Sequence, residues 1–184
     1  VRAVVSASPS RTPPAPFIVT AELPGDVFAW AEALRRTHFP PERNKLKAHV
    51  TLFHSFAPSL REELPRVLAR IAGDHPPPSA RIDSTMDLGR GTALAIASPA
   101  MLAIRAEIAE HFHGALTAQD LHEPRLHITV QNKVGTEAAR ALQRSLGSQL
   151  HRRDFAFTGL GLHIYRETHW DEAGQWRFRG KQGA

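Results

Sequence analysis

The chain carries one short pattern twice, His49-Val50-Thr51-Leu52 and His127-Ile128-Thr129-Val130, and the copies occupy the same place in two similar stretches. Each pattern ends a strand–helix–strand unit. The first runs from Ile18–Leu23 through a helix to His49–Phe53, the second from Ala93–Ala97 through a helix to His127–Gln131. His49 follows Ile18 by 31 residues and His127 follows Leu94 by 33. A unit repeated once, with matched spacing, predicts two pseudo-symmetric halves around a common groove rather than a solenoid, which needs more repeats.

The remaining elements fit around these units. Phe17–Ala21 reads as a strand that Pro24-Gly25 ends, and Asp26 is expected to cap a helix bearing Phe28, Ala31, Leu34 and Arg35. Ser59 followed by Glu62 has the form of a capping box for a helix over Ser59–Ala72. Arg81–Leu88 and Thr92–Ala97 flank Gly89-Arg90-Gly91, a hairpin turn. Ser98-Pro99 is a cap followed by a first-turn proline, with Met101, Leu102, Ile104, Arg105, Ile108 and Phe112 behind it. A fourth helix is predicted over Thr136–Leu150. Strand structure is predicted over Phe155–Tyr165 and Gln175–Phe178, with a turn at Glu172-Ala173-Gly174. The fold class expected is α+β and bilobal, two β-sheet lobes with outer helices and a central groove.

At 184 residues the chain has the length of one domain. Residues 1–16 hold four prolines among Ser and Ala without helical or strand period. They are expected to form a flexible tail, and 17–184 one bilobal domain. The formal net charge is +5, which favours anionic partners such as nucleotides or RNA, although no long Lys/Arg block marks a non-specific duplex binder. With no cysteine, disulfides, thiolate zinc sites and a cysteine nucleophile are excluded. No stretch approaches the ~20 apolar residues that cross a bilayer. A cytoplasmic monomer without membrane contact is expected.

In a strand, side chains alternate between faces. His49 and Thr51 therefore share one face and Val50 and Leu52 the other, and the second copy repeats this with His127 and Thr129 opposite Ile128 and Val130. Each strand offers its apolar face to a core and its His/Thr face to a groove. In-line displacement at a phosphoester needs a base on one side of phosphorus and an acid on the other. Imidazole, with a reference pKa of about 6.5, suits both roles, and threonine hydroxyls can donate to the non-bridging oxygens. A single His-x-Thr in a strand is ordinarily structural; it is the duplication that points to catalysis.

On these two motifs, and on an order of elements that extends from Phe17 to Gly180, the chain resembles the two-histidine phosphoesterase superfamily, in particular its bacterial 2'-5' RNA ligase-like and cyclic phosphodiesterase group. The resemblance implies a bilobal fold and cofactor-free, metal-free chemistry on 2',3'-cyclic or 2'-5' phosphodiesters. His49 and His127 would be the acid–base pair, and Thr51 and Thr129 would hold the phosphate. Hydrolysis would leave 2'-phosphates on nucleotides or RNA ends, with 2'-5' RNA ligation as a possible further activity. Some relatives carry an arginine a few residues after the second motif, where this chain has Asn132 and Lys133. Lys133 first, Arg125 second, are candidates to supply that charge, both by strand parity with His127. Lys45 and Lys47 stand in the same relation to His49.

Other residues are open to two readings. Phe53 shares the parity of His49 and could stack a base or pack in the core. Tyr165, near Trp170 and Trp176, could stack a base or close a small core. The 11 histidines form no His-Glu-x-x-His pattern, and there is no phosphate-binding Gly-x-x-x-x-Gly-Lys loop. Two other functions remain compatible with the motifs: an RNA-end-binding module with little turnover, and a phosphodiesterase for a small nucleotide-derived metabolite.

Overall fold

The computed structural model describes residues 15–181. In chain order the elements are β1 (Phe17–Glu22), α1 (Gly25–His38), β2 (Val50–Phe56), α2 (Glu63–Asp74), β3 (Ser79–Asp87), β4 (Thr92–Ala97), α3 (Pro99–His111), β5 (His127–Gln131), α4 (Thr136–Gln149), β6 (Arg153–Ala156), β7 (Gly159–Arg166) and β8 (His169–Arg177). They build two four-stranded antiparallel sheets, ordered β2-β1-β7-β8 and β5-β4-β3-β6. The fold is α+β with two lobes, as the duplicated units predict. The strand that ends each unit is the edge strand of its own sheet, and the two edges, β2 and β5, lie against each other.

Burial explains this arrangement. β1 and β4 are inner strands and read as nearly continuous apolar runs, with Val19, Ala93 and Leu94 fully buried. α2 lays Leu64, Val67, Leu68 and Ile71 against β7 and β8. α1 belongs to the first unit but packs on β5 of the second sheet, which ties the lobes together. Among the described residues, no helix is long and apolar enough to cross a membrane.

Some local expectations hold. The Ser98 hydroxyl accepts the Met101 N–H at 3.2 Å and donates to the Ser79 carbonyl at 2.6 Å, with Pro99 in the first turn of α3. Gly89, at φ +75, makes the β3–β4 turn, a backbone conformation that favours glycine.

Others are corrected. Pro24, not Asp26, stands at the α1 N-cap; Asp26 lies inside the first turn, where it faces the helix dipole without a capping bond. Ser59 sits in a 3-10 turn over Pro58–Leu60, so α2 starts at Glu63 and no capping box forms. Glu172-Ala173-Gly174 is not a turn. β8 runs through it, and the register shift between Leu162–Gly174 and His163–Glu172 makes Ala173 the extra residue of a bulge. The reversal lies at Glu167-Thr168, with Glu167 at φ 48. The expected tail over 1–16 lies outside the described residues except for Ala15 and Pro16, whose carbonyl accepts the Tyr165 N–H at 3.0 Å.

Candidate active site

The duplication reaches below the level of sequence. In the first copy Thr20 faces Thr51 and Val19 faces Phe53, so Leu52 is an extra residue. In the second copy Ala93 faces Thr129 and Thr92 faces Gln131, so Val130 is extra. Each motif strand thus carries a bulge three residues after its histidine. A bulge adds one unpaired residue, bends the strand and shifts the alternation of faces from there on. The His and Thr ahead of the bulge keep the groove face, and the residue just past it turns into the core.

That shift decides the case of Phe53. Counted without the bulge, it shares the face of His49 and Thr51. With Leu52 inserted it is 0% exposed, packed 5.0 Å from the Phe56 ring and under the Arg105 guanidinium at 4.4 Å. It cannot stack a base, and the expectation is corrected. Gln131 is turned inward in the same way and sits within 3.4 Å of the Thr92 hydroxyl.

The two imidazoles are held identically. His49 Nδ1 lies 2.7 Å from the carbonyl of Lys47, and His127 Nδ1 lies 2.7 Å from the carbonyl of Arg125. A carbonyl only accepts, so each Nδ1 carries the hydrogen and each Nε2 is left for other partners. When neutral, such a ring offers a lone pair at Nε2; when protonated, it offers a proton at the same atom. The charge of His127 is felt at His49. Thr51 and Thr129 are half-buried, directly opposite Thr20 and Ala93.

The Trp170 ring lies 4.6 Å from that of His49. Loss of hydration on burial lowers its pKa to about 4, against the bond to the Lys47 carbonyl and with help from the charges of Arg35, His163 and His127. It is therefore neutral in the free protein at neutral pH. The unfolded chain, with a pKa near 6.5, takes up this proton first, so the contribution to stability is whole above about pH 6.5 and is lost as pH falls towards 4. In an NMR titration the His49 ring of the free protein is expected to protonate near pH 4. A bound phosphomonoester should move that midpoint upward, because an anion beside the ring favours its charged form. A free-protein midpoint at 6 or above would contradict this environment.

Two cavities meet at His49. The larger, of about 480 Å³, extends over β1, β7 and β8. The smaller, of about 280 Å³, includes Arg35, Arg43, Lys45, Thr129, Lys133 and Tyr165 in its lining. Lys133 reaches it by a different route from the one expected. β5 ends at Gln131 and the bulge has already broken the alternation, but a left-handed φ of 60 at Lys133 turns the chain back towards the groove. Tyr165, 41% exposed, stands on the same wall. Arg125 is exposed and lines neither cavity; what it brings to the site is its carbonyl, the partner of His127. Lys45 lines both cavities and Lys47 the larger one.

Sequence reasoning missed Arg35. It lies on the buried stripe of α1 with Val27 and Ala31 and is 3% exposed. Its guanidinium donates to the carbonyl of Thr129 at 2.6 Å, the carbonyl of Leu46 at 2.8 Å and Asn44 Oδ1 at 2.7 Å, and it stacks on Phe39. One side chain thus joins the second motif strand to the loop that leads into the first. Arg105 on α3 is its counterpart, reaching back over Phe53 and donating to the Asp120 carbonyl. The Asp120 carboxylate in turn accepts the N–H groups of His54 and Ser55 in β2. A charged residue inside a helix's apolar stripe was the available signal for both.

Two lobes whose edge strands each carry a His-x-Thr motif and lie against each other have the two-histidine phosphoesterase fold. The model of the 2'-5' RNA ligase superfamily matches residues 23–169, and the chain belongs to that superfamily. Solved structures share the fold at low identity. TT0787 of Thermus thermophilus aligns with a TM-score of 0.61 at 12% identity, over 91% of this chain and 100% of that one. E. coli LigT complexed with 3'-AMP gives 0.61 at 16% identity, over 90% and 98%. LigT complexed with NADP+ gives 0.56 at 19%, over 90% and 99%. No curated protein sequence matches significantly.

Proposed function

We propose that the protein opens 2',3'-cyclic phosphodiesters on nucleotides or RNA ends to 2'-phosphates, without a metal ion. The observation that carries this reading is the identical holding of the two imidazoles, each with Nδ1 tied to the carbonyl two residues back and Nε2 free. Water attacks phosphorus while one histidine takes its proton. The bond from phosphorus to the ribose 3'-oxygen breaks, and the other histidine protonates that oxygen. Thr51 and Thr129 donate to the non-bridging oxygens, with Lys133 adding positive charge from the smaller cavity. With a ribose 5'-hydroxyl in place of water as the nucleophile, the same ring opening joins it to phosphorus, expels the 3'-oxygen and gives 2'-5' ligation. Membership in the 2'-5' RNA ligase superfamily supports the reaction class, and the nucleotides bound by LigT support the ligand class.

The test is turnover of 2',3'-cyclic nucleotides by the purified chain with EDTA present, with products resolved as 2'- or 3'-phosphates. A 2'-phosphate product at undiminished rate is expected. No turnover, or turnover abolished by EDTA, would refute the reading.

A further inference from the structure

The two halves are alike at the motifs and unlike beside them. Where β1 has Thr20 and Glu22 next to the first motif strand, β4 has Ala93 and Ala95 at the corresponding places beside the second. The shared residues suit a phosphate approached from both sides. Residues present in only one half suit the part of the substrate that has no symmetry, its nucleoside.

Those residues line the larger cavity, and the backbone is shaped to admit them. The Thr20 hydroxyl donates to Glu22 Oε1 at 2.9 Å and lies 2.9 Å from His163 Nε2, which donates to it in turn. All three side chains cross β7 at Gly161, where a Cβ would collide with Glu22, Thr20 and His163 together. Trp170, its ring tilted against those of His49 and His163 at 4.6 and 5.5 Å, forms one wall, with Phe28 and Leu23 also in the lining. Glu22 and Glu172 are joined through the Gln175 amide, which donates to Glu172 at 3.0 Å and to Glu22 at 3.5 Å. Lys45 lines both cavities and Lys47 this larger one, whereas Arg35, Arg43 and Lys133 line only the smaller cavity on the other side of His49.

We propose that the larger cavity is the subsite for the substrate's base and that it selects guanine, read by the Glu22 carboxylate. An ionised carboxylate only accepts hydrogen bonds. Guanine presents N1–H and the N2 amino group side by side, a pair of parallel donors that fits two carboxylate oxygens. Adenine and cytosine set a ring-nitrogen acceptor beside their amino donor, and uracil flanks its one N–H with two carbonyls, so each of these turns a lone pair towards Glu22. A lone pair turned towards this partly buried carboxylate lowers the affinity of the wrong base. The cations that line only the smaller cavity, Arg35, Arg43 and Lys133, also set direction, since they draw the further phosphates of an RNA end to that side.

The guanine subsite rests on the proposed reaction only for the placing of the phosphate, so binding and turnover are measured separately. Calorimetry should show 2'-GMP binding wild type at least tenfold more tightly than 2'-AMP. Glu22→Gln, whose amide offers one donor and one acceptor, should bring that ratio close to one, with 2'-GMP affinity falling and 2'-AMP affinity not falling. Gly161→Ala, which displaces the carboxylate without removing it, should reduce the ratio as well. Equal binding of the two nucleotides by wild type, no binding of either, or an unchanged ratio in Glu22→Gln overturns the guanine subsite. If 2'-GMP is preferred but 2',3'-cyclic GMP is not opened, the hydrolase reading falls and the subsite stands.

Discussion

Alanine at His49 or at His127 is expected to lower kcat/KM for opening 2',3'-cyclic nucleotides by a factor of about 10² to 10⁴, the usual span for losing one acid–base group. Both Nδ1 atoms are tied to carbonyls, so each ring is oriented before substrate arrives, and truncation removes a placed group rather than a mobile one. The two act on one proton inventory: the base gains what the acid gives up. The double substitution should therefore cost little more than the worse single one, as for other residues that act as a unit. Neither ring belongs to the packed core, so both variants should melt close to wild type. Substantial activity surviving in either variant would remove that histidine from the mechanism.

How far the sequence could be read is shown best by the motif strands. Period-two alternation put His49 with Thr51 and His127 with Thr129 correctly, because those residues precede any irregularity. It failed at Phe53 and in the route taken to Lys133, because a bulge comes after each motif and alternation does not survive one. Nothing in Leu52 or Val130 marks an extra residue; only the partner strand's register shows it. Caps divided in the same way. Ser98 was legible because Pro99 fixed the helix start, whereas Asp26 and Ser59 could each cap only if the helix began elsewhere. Glu172-Ala173-Gly174 has the composition of a turn, but pairing with β7 keeps it extended. The two reciprocal arginines stayed hidden because most of their partners are backbone carbonyls, which carry no residue signature.

The first of these arginines should have the largest effect on stability. Arg35→Ala leaves the carbonyls of Thr129 and Leu46 and the side chain of Asn44 without their donor. A buried acceptor left without a donor costs about 1–3 kcal/mol, and three of them, partly relieved by water, cost about 3–5 kcal/mol. For a chain of this length each kcal/mol lowers Tm by about 2–4 °C, so a fall of roughly 6–20 °C is expected. The loss should not be confined to melting. Arg35 fixes the carbonyl of the residue two past His127 to the loop three residues ahead of His49, and a misplacement of about 1 Å between reacting groups can cost 10²-fold. Assayed well below its own Tm, Arg35→Ala should still show reduced kcat. Arg35→Lys, whose single ammonium cannot span acceptors on both halves as a planar fork does, should recover more stability than activity. A variant that melts early but turns over at the wild-type rate when folded would make Arg35 a packing residue, and the distance between the imidazoles would then be set by the sheet edges alone.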